Sequence, residues 1–176
     1  LDESDCASSP PGDAALPAPP KDLAAMGDDP RAAALWYRNG ANGDKMPDGR
    51  PGFETMNGQM GAGTMSPETS ARVADIDSLM AESRLAEPIV VYRGMSKVPE
   101  LLGEPGTLAG TEFTDRAFVS TTADRAHGRR LQGFEGAVLN IRIPAGTSAI
   151  RMVDDNPRFP ESEILLDRGL RFRIVG

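Results

Sequence analysis

The sequence predicts an α+β fold, in which helices precede a mostly antiparallel β core. Three observations carry this. Val73, Ile76, Leu79 and Met80 recur at helical spacing in ARVADIDSLMAESRL. From Pro88 onward, short β-rich runs alternate with Gly, Pro and Asp turns. Charge and flexibility are also split along the chain. Residues 1–88 hold 7 Lys+Arg against 15 Asp+Glu, and residues 89–176 hold 12 against 11, so the halves carry −8 and +1 and sum to −7.

The chain has 176 residues and a pI near 4.8. That suffices for one domain with a sizeable core and is too short for two full-sized enzymatic domains. One His and one Cys cannot assemble a Cys/His zinc site or a disulfide framework, so no metal is expected. Cys6 lies in a Ser/Pro/Asp-rich stretch and reads as an exposed free thiol without a role. No apolar run approaches the ~20 residues needed to span a membrane, and no membrane partner is expected.

Residues 1–30 combine Pro pairs, Ala, Ser and Asp with no apolar period, as in a flexible leader, and residues 31–176 form the remaining unit. Arg31 to Arg38 (RAAALWYR) reads as a short helix after the capping carboxylates Asp28 and Asp29, with Trp36 as its packing anchor. Residues 39–65 mix Gly and Asn with Met46, Met56, Met60 and Met65. They read as a long mobile loop or linker, with a lid of adaptable methionines as the sharper alternative. Nine Gly and nine Pro fall within residues 1–67, a composition that resists packing.

Ser66-Pro67 supplies an N-cap and a first-turn proline for a helix over about 67–85. Ile89 to Arg93, ended by Gly94, reads as a buried strand with a polar tip, and the β core spans 88–176. Further strands are expected at 117–121, 137–143, 148–152, 162–166 and 170–175. A short helix follows Thr122 with Asp124 at its positive end, running from Arg125 to Leu131. Asp167-Arg168-Gly169 predicts a tight turn between the last two strands.

Three short segments can carry chemistry. Glu161 and Glu163 stand two apart where a loop runs into a strand, so their side chains leave one face roughly 7 Å apart. Two carboxylates beside Ile164, Leu165 and Leu166 are costly unless a cation or hydrogen bonds meet them. Arg93 at a strand end suits a forked contact with phosphate or carboxylate, and Gly94 lets a ligand approach the backbone. Ser120, Thr121 and Thr122 put three hydroxyls at another strand end. Each has an ordinary structural explanation taken singly: a surface ion pair, a cap, a solvated edge.

The ordered triple Arg93, Ser120-Thr121-Thr122 and Glu161-x-Glu163 is more specific. In its context (Tyr92-Arg93-Gly94-Met95, Ala117-Phe118-Val119-Ser120 and Pro160 to Gly169), it resembles the arginine–serine–glutamate class of mono-ADP-ribosyltransferases. That class contains the clostridial binary actin toxins, phage enzymes and many polymorphic toxin C-termini. The resemblance covers about residues 69–176. It departs in Thr122, where the family has a second Ser, and in Phe159, which stands one residue closer to the first Glu than the family's loop aromatic.

The resemblance implies a core of two packed antiparallel sheets and cleavage of the nicotinamide–ribose bond of NAD+ as co-substrate, without metal. It implies a catalytic role for Glu163 at the ribose, with Ser120 fixing its rotamer, and for Glu161 at the acceptor, with Phe159 beside it. Arg93, Gly94, Thr121, Thr122, Arg130 and Phe134 would bind the dinucleotide. A Glu at position 161 goes with an arginine acceptor, so the implied partner is a protein with an accessible arginine. RNA or DNA is the runner-up acceptor, and hydrolysis of NAD+ a side reaction. A chain beginning at Leu1 with a Pro/Ala-rich leader is read as the C-terminal toxin or effector domain of a larger secreted bacterial protein, delivered into a target cell in bacterial competition, with a possible cognate immunity protein. Two readings from other classes stay open: a two-carboxylate glycoside hydrolase using Glu161 and Glu163, and a non-catalytic module whose acidic half binds a partner.

Overall fold

The structure, a computed structural model, describes Ala34, Tyr37 and residues 52–95, 108–131, 136–152 and 163–175. The leader, Cys6, Trp36, Met46, Phe134, Phe159 and Glu161 lie outside the described residues.

Part of the stretch read as a loop is a helix, α1 (Gly52–Ala62). Phe53, Met56 and Met60 fall three and four residues apart, and Met56 and Met60 are buried in the core. The stripe is narrow and interrupted by Gly58 and Gly61, so the glycine content masks the period, and packing supplies what propensity lacks. α2 (Pro67–Glu82) starts where the sequence indicates. The Ser66 hydroxyl accepts from Thr69 N–H at 3.1 Å, and Pro67 occupies the first turn. It stops three residues short of expectation because Ser83 and Leu85 are drawn to the sheet edge. There Ala149 N–H donates to Ser83 O at 3.1 Å and Leu85 N–H to Thr147 O at 3.0 Å.

A five-stranded antiparallel sheet has the order β4-β1-β3-β6-β5, from β1 (Ile89–Met95), β3 (Val119–Thr122), β4 (Ala137–Ile143), β5 (Ala149–Met152) and β6 (Glu163–Leu166). A second sheet pairs β2 (Glu112–Asp115) with β7 (Leu170–Arg173). The sequence reading missed β2, whose four residues EFTD hold one apolar side chain and two acids. The turn at Asp167-Arg168-Gly169 is present, with Gly169 at φ 73°. It does not close a hairpin, however: β6 pairs with β3 and β5, and the turn passes the chain to the other sheet. The short helix α3 (Arg125–Leu131) begins with Asp124 Oδ1 accepting from Ala126 N–H at 2.8 Å.

Alternation along the strands feeds two cores. Phe118, Ile150, Met152 and Leu165 face the helical layer with Tyr37, Met56, Met60, Ile76 and Met80. Val91, Val119, Ala149, Ile164 and Leu166 form the opposite core, against which Leu170 and Phe172 of β7 pack. The class is therefore α+β with two sheets and a helical layer.

Gly128 in α3 shows how closely helix and sheet approach. A Cβ there would stand 3.1 Å from Tyr92 Cβ and 3.7 Å from Thr122 Cγ2. Gly58 in α1 has nothing within 4 Å of the same position. Gly128→Ala is expected to lose about 1 kcal/mol net, because overpacking outweighs the gain in helix propensity. Gly58→Ala gains about 0.5–1 kcal/mol. Urea denaturation of the two variants checks the opposite signs.

Candidate active site

Strand register sets up the site. Across four strands, Tyr92 of β1 stands opposite Thr122 of β3, Thr122 opposite Glu163 of β6, and Glu163 opposite Met152 of β5. Ser120, two residues before Thr122, shares the face that Glu163 presents and reaches it diagonally. A cavity of about 290 Å³ opens where β1 and β3 meet, lined from both strands by Tyr92, Arg93, Gly94 and Ser120 to Thr122, with Glu163. Tyr37, Phe53 and His127 also line it.

Within it, Ser120 Oγ donates to Glu163 Oε1. A hydroxyl bonded to a carboxylate restricts the rotamers of both side chains. Arg93 Nη1 donates to Asp115 Oδ2 at 3.2 Å, with the two side chains 31% and 25% exposed. The cavity thus offers a guanidinium and a carboxylate, each restrained by a neighbour and each still reachable by a ligand. Both threonines are almost fully buried and their hydroxyls serve the backbone: Thr121 Oγ1 donates to Ile164 O at 2.6 Å, and Thr122 Oγ1 accepts from Asp124 N–H at 3.0 Å.

Tyr37 closes the helical side. It is 2% exposed and meets Phe53 and Phe118 edge to face, with ring centroids 6.4 and 6.0 Å away. Asn57 Nδ2 donates to its hydroxyl oxygen at 3.0 Å, and the Ser120 hydroxyl is a further hydrogen-bond partner. A polar chain therefore runs from Asn57 through Tyr37 and Ser120 to Glu163.

Of the residues singled out from sequence, the structure brings Arg93, Gly94, Ser120, Thr121, Thr122 and Glu163 into one cavity. Arg130 does not line it. Its side chain is 64% exposed on α3, near His127 Nδ1 at 3.1 Å and Asp124 Oδ2 at 3.8 Å. Sequence reasoning missed Tyr37, Phe53, Tyr92 and His127. The signal for Tyr37 was faint: it neighbours Trp36, which drew the anchor assignment. A second cleft, of about 690 Å³, lies between α2 and the turn after β6. Its Arg168 is committed to Asp77 through Nε at 2.8 Å and Nη2 at 2.6 Å, and burial raises the Asp167 carboxyl above the usual range. Among its described lining residues there is no glutamate and so no counterpart of the serine–glutamate pair.

Likeness to known proteins extends over most of the chain. A sequence-family model described as ADP-ribosyltransferase exoenzyme matches residues 55–176. The chain belongs to the ADP-ribosyltransferase exoenzyme family. No curated protein matches it in sequence. Among solved structures, the exoenzyme fold recurs in the enzymatic component C2-I of the Clostridium botulinum C2 toxin (TM-score 0.64, 15% identity, covering 86% of this chain and 38% of that one). It recurs in the ADP-ribosylating toxin BECa of C. perfringens, solved with NADH (0.63, 17%, 86% and 38%). It is found too in the C3 exoenzyme of Clostridium limosum (0.62, 15%, 86% and 78%). The chain thus spans 38% of the length of the C2-I and BECa chains and 78% of the C3 chain.

The Tyr37 hydroxyl titrates abnormally in this exoenzyme fold. Burial pushes its pKa from 10.0 up to about 12, and the Glu163 charge adds to the rise against the opposing pull of Asn57, Arg93 and Ser120. The native state keeps a proton that the unfolded chain loses above about pH 10. Stability from this group is full below pH 10 and falls between about pH 10 and 12, by on the order of 2–3 kcal/mol. Tyr37→Phe is expected to lack that decline. Urea titrations of both proteins at about pH 9 and pH 11 check it, and equal losses would exclude Tyr37 as the source.

Proposed function

We propose that this chain is a mono-ADP-ribosyltransferase toxin domain, spanning residues 31–176, that transfers ADP-ribose from NAD+ to a protein arginine and releases nicotinamide. The observation that carries this is Glu163, hydrogen-bonded by Ser120, sharing one cavity with Arg93 at the meeting of β1 and β3. The residues present suit such a dinucleotide. Arg93 offers its remaining N–H donors to a diphosphate, and Gly94 allows close backbone approach to the nicotinamide amide. Phe53 and Tyr92 give aromatic surface. The solution of BECa with NADH supports a dinucleotide in this fold.

The reaction breaks the bond between nicotinamide nitrogen and ribose C1′ and forms one between C1′ and an arginine nitrogen. Positive charge grows at the ribose as nicotinamide leaves. Glu163 accepts a hydrogen bond from the ribose hydroxyl and sets a fixed negative charge beside that centre. Ser120 spares it any reorientation at that moment. Thr121 and Thr122, with their hydroxyls engaged to the backbone, shape the wall. Glu161, two residues upstream, orients the attacking guanidinium and takes the proton it sheds, with Phe159 flanking the acceptor. Arg130, exposed on α3 outside this cavity, has no part in the scheme, and Phe134 would extend the dinucleotide contacts. No metal enters the scheme.

A nucleic acid is the second acceptor class. The 12 Lys+Arg of residues 89–176 support it and the net charge of −7 opposes it. Delivery into a target cell fits the likeness to bacterial toxins, and a cognate immunity protein would belong to a toxin aimed at other bacteria.

Glu163→Ala is expected to lower NAD+ cleavage and transfer together, by at least about 10²–10³-fold. Glu161→Ala keeps much of the cleavage and loses transfer. Nicotinamide release, measured beside label incorporation from NAD+ into a lysate, separates the two variants. Equal loss of both activities in Glu161→Ala contradicts its role. Label that survives protease and vanishes with nuclease replaces arginine by nucleic acid as the acceptor.

A further inference from the structure

Asp115 ends β2, a strand with no motif residue, yet it contacts the segments that carry all three motif elements. Its Oδ2 accepts from Arg93 Nη1 at 3.2 Å. Its Oδ1 accepts from Ala117 N–H at 3.0 Å, in the short lead-in to β3 and Ser120. Its backbone carbonyl accepts from Gly169 N–H at 2.8 Å, in the turn that follows Glu163 and β6. We infer that Asp115 is a positioning residue for NAD+ binding, holding the Arg93 guanidinium in register with the serine and glutamate strands. The inference rests on the transferase reading above.

Two effects of the Asp115 carboxylate oppose each other. Its charge repels a diphosphate arriving at Arg93. It also restrains a long, flexible side chain that would otherwise surrender its rotamer freedom on binding. The repulsion is weak here because the pair is partly open to water, which screens it, and because the carboxylate is already matched by Arg93. The restraint leaves the donors other than the one on Asp115 available, since a guanidinium carries five. Positioning therefore outweighs repulsion. A solvent-reached pair of this kind adds little to fold stability, so its loss is expected in binding rather than in melting.

Asp115→Asn separates the contributions, because the amide oxygen can still accept from Ala117 N–H while the charge is gone. In nicotinamide-release assays, its KM for NAD+ is expected to rise about tenfold, with kcat within about twofold and an unchanged melting temperature. Asp115→Glu, which keeps the charge, restores most of the KM. In an Arg93→Lys background, Asp115→Asn adds no further rise, since the residue acts through the arginine fork. An unchanged or lowered KM in Asp115→Asn overturns the inference. So does a loss confined to kcat, a loss explained by a fallen melting temperature that Asp115→Glu does not rescue, or an equal KM rise in the Arg93→Lys background. A wild-type chain that neither binds nor cleaves NAD+ overturns the transferase reading itself and this inference with it. A normal wild type beside an unaffected Asp115→Asn removes this inference alone.

Discussion

The antiparallel register of β3 between β1 and β6 is the constraint on which the site depends. Strand side chains alternate with a period of two, so Thr122 opposite both Tyr92 and Glu163 puts Ser120 and Glu163 on one face. A slip of one residue would send either partner into the opposite core. That slip is opposed on both faces. Val119, Ile164 and Leu166 are held in one apolar cluster, and Phe118 and Leu165 in the other. The chemistry is thereby aligned by the same hydrophobic alternation that closes the fold, with no separate device needed to hold the serine against the glutamate.

Much of this was legible in sequence because it is written in local pattern. Ser66-Pro67, the β-branched run from Ile89, and the hydroxyl and carboxylate strands each announce themselves over a few residues. The order of Arg93, Ser120 and Glu163 identified the family. What was not legible depends on long-range pairing. β2 is too short and acidic to read as a strand until β7 lies beside it. α1 hides behind Gly58 and Gly61 and is a helix because Met56 and Met60 have a sheet to cover. Tyr37 follows the same logic: its role comes from Phe53, Phe118 and Asn57, which lie 16 to 81 residues further along the chain. The turn at Gly169 was legible as a turn, but its destination in the second sheet was not.

The second sheet supplies what the first cannot. The register of β1 with β3 is the single pair Tyr92 and Thr122, and the side-chain partner of Arg93 comes from the other sheet. Asp115 reaches across from β2. The small sheet is thus a buttress for the cleft as well as a cover for the apolar face beneath it.

The two cores also differ in what they are made of. Between the sheets lie Leu, Ile, Val and Ala, side chains that are mostly stiff and branched. Between sheet and helices lie Met56, Met60, Met80 and Met152 around the aromatic rings of Tyr37 and Phe118, and thioethers rearrange at little energetic cost. The cleft is therefore gripped by jaws of unequal hardness. Stiff branched side chains lie on the side that bears Arg93 and its brace, and adaptable thioethers on the side that bears Tyr37 and Phe53. Repacking around a ligand therefore costs less on the helical side of the cleft than on the side beneath Arg93.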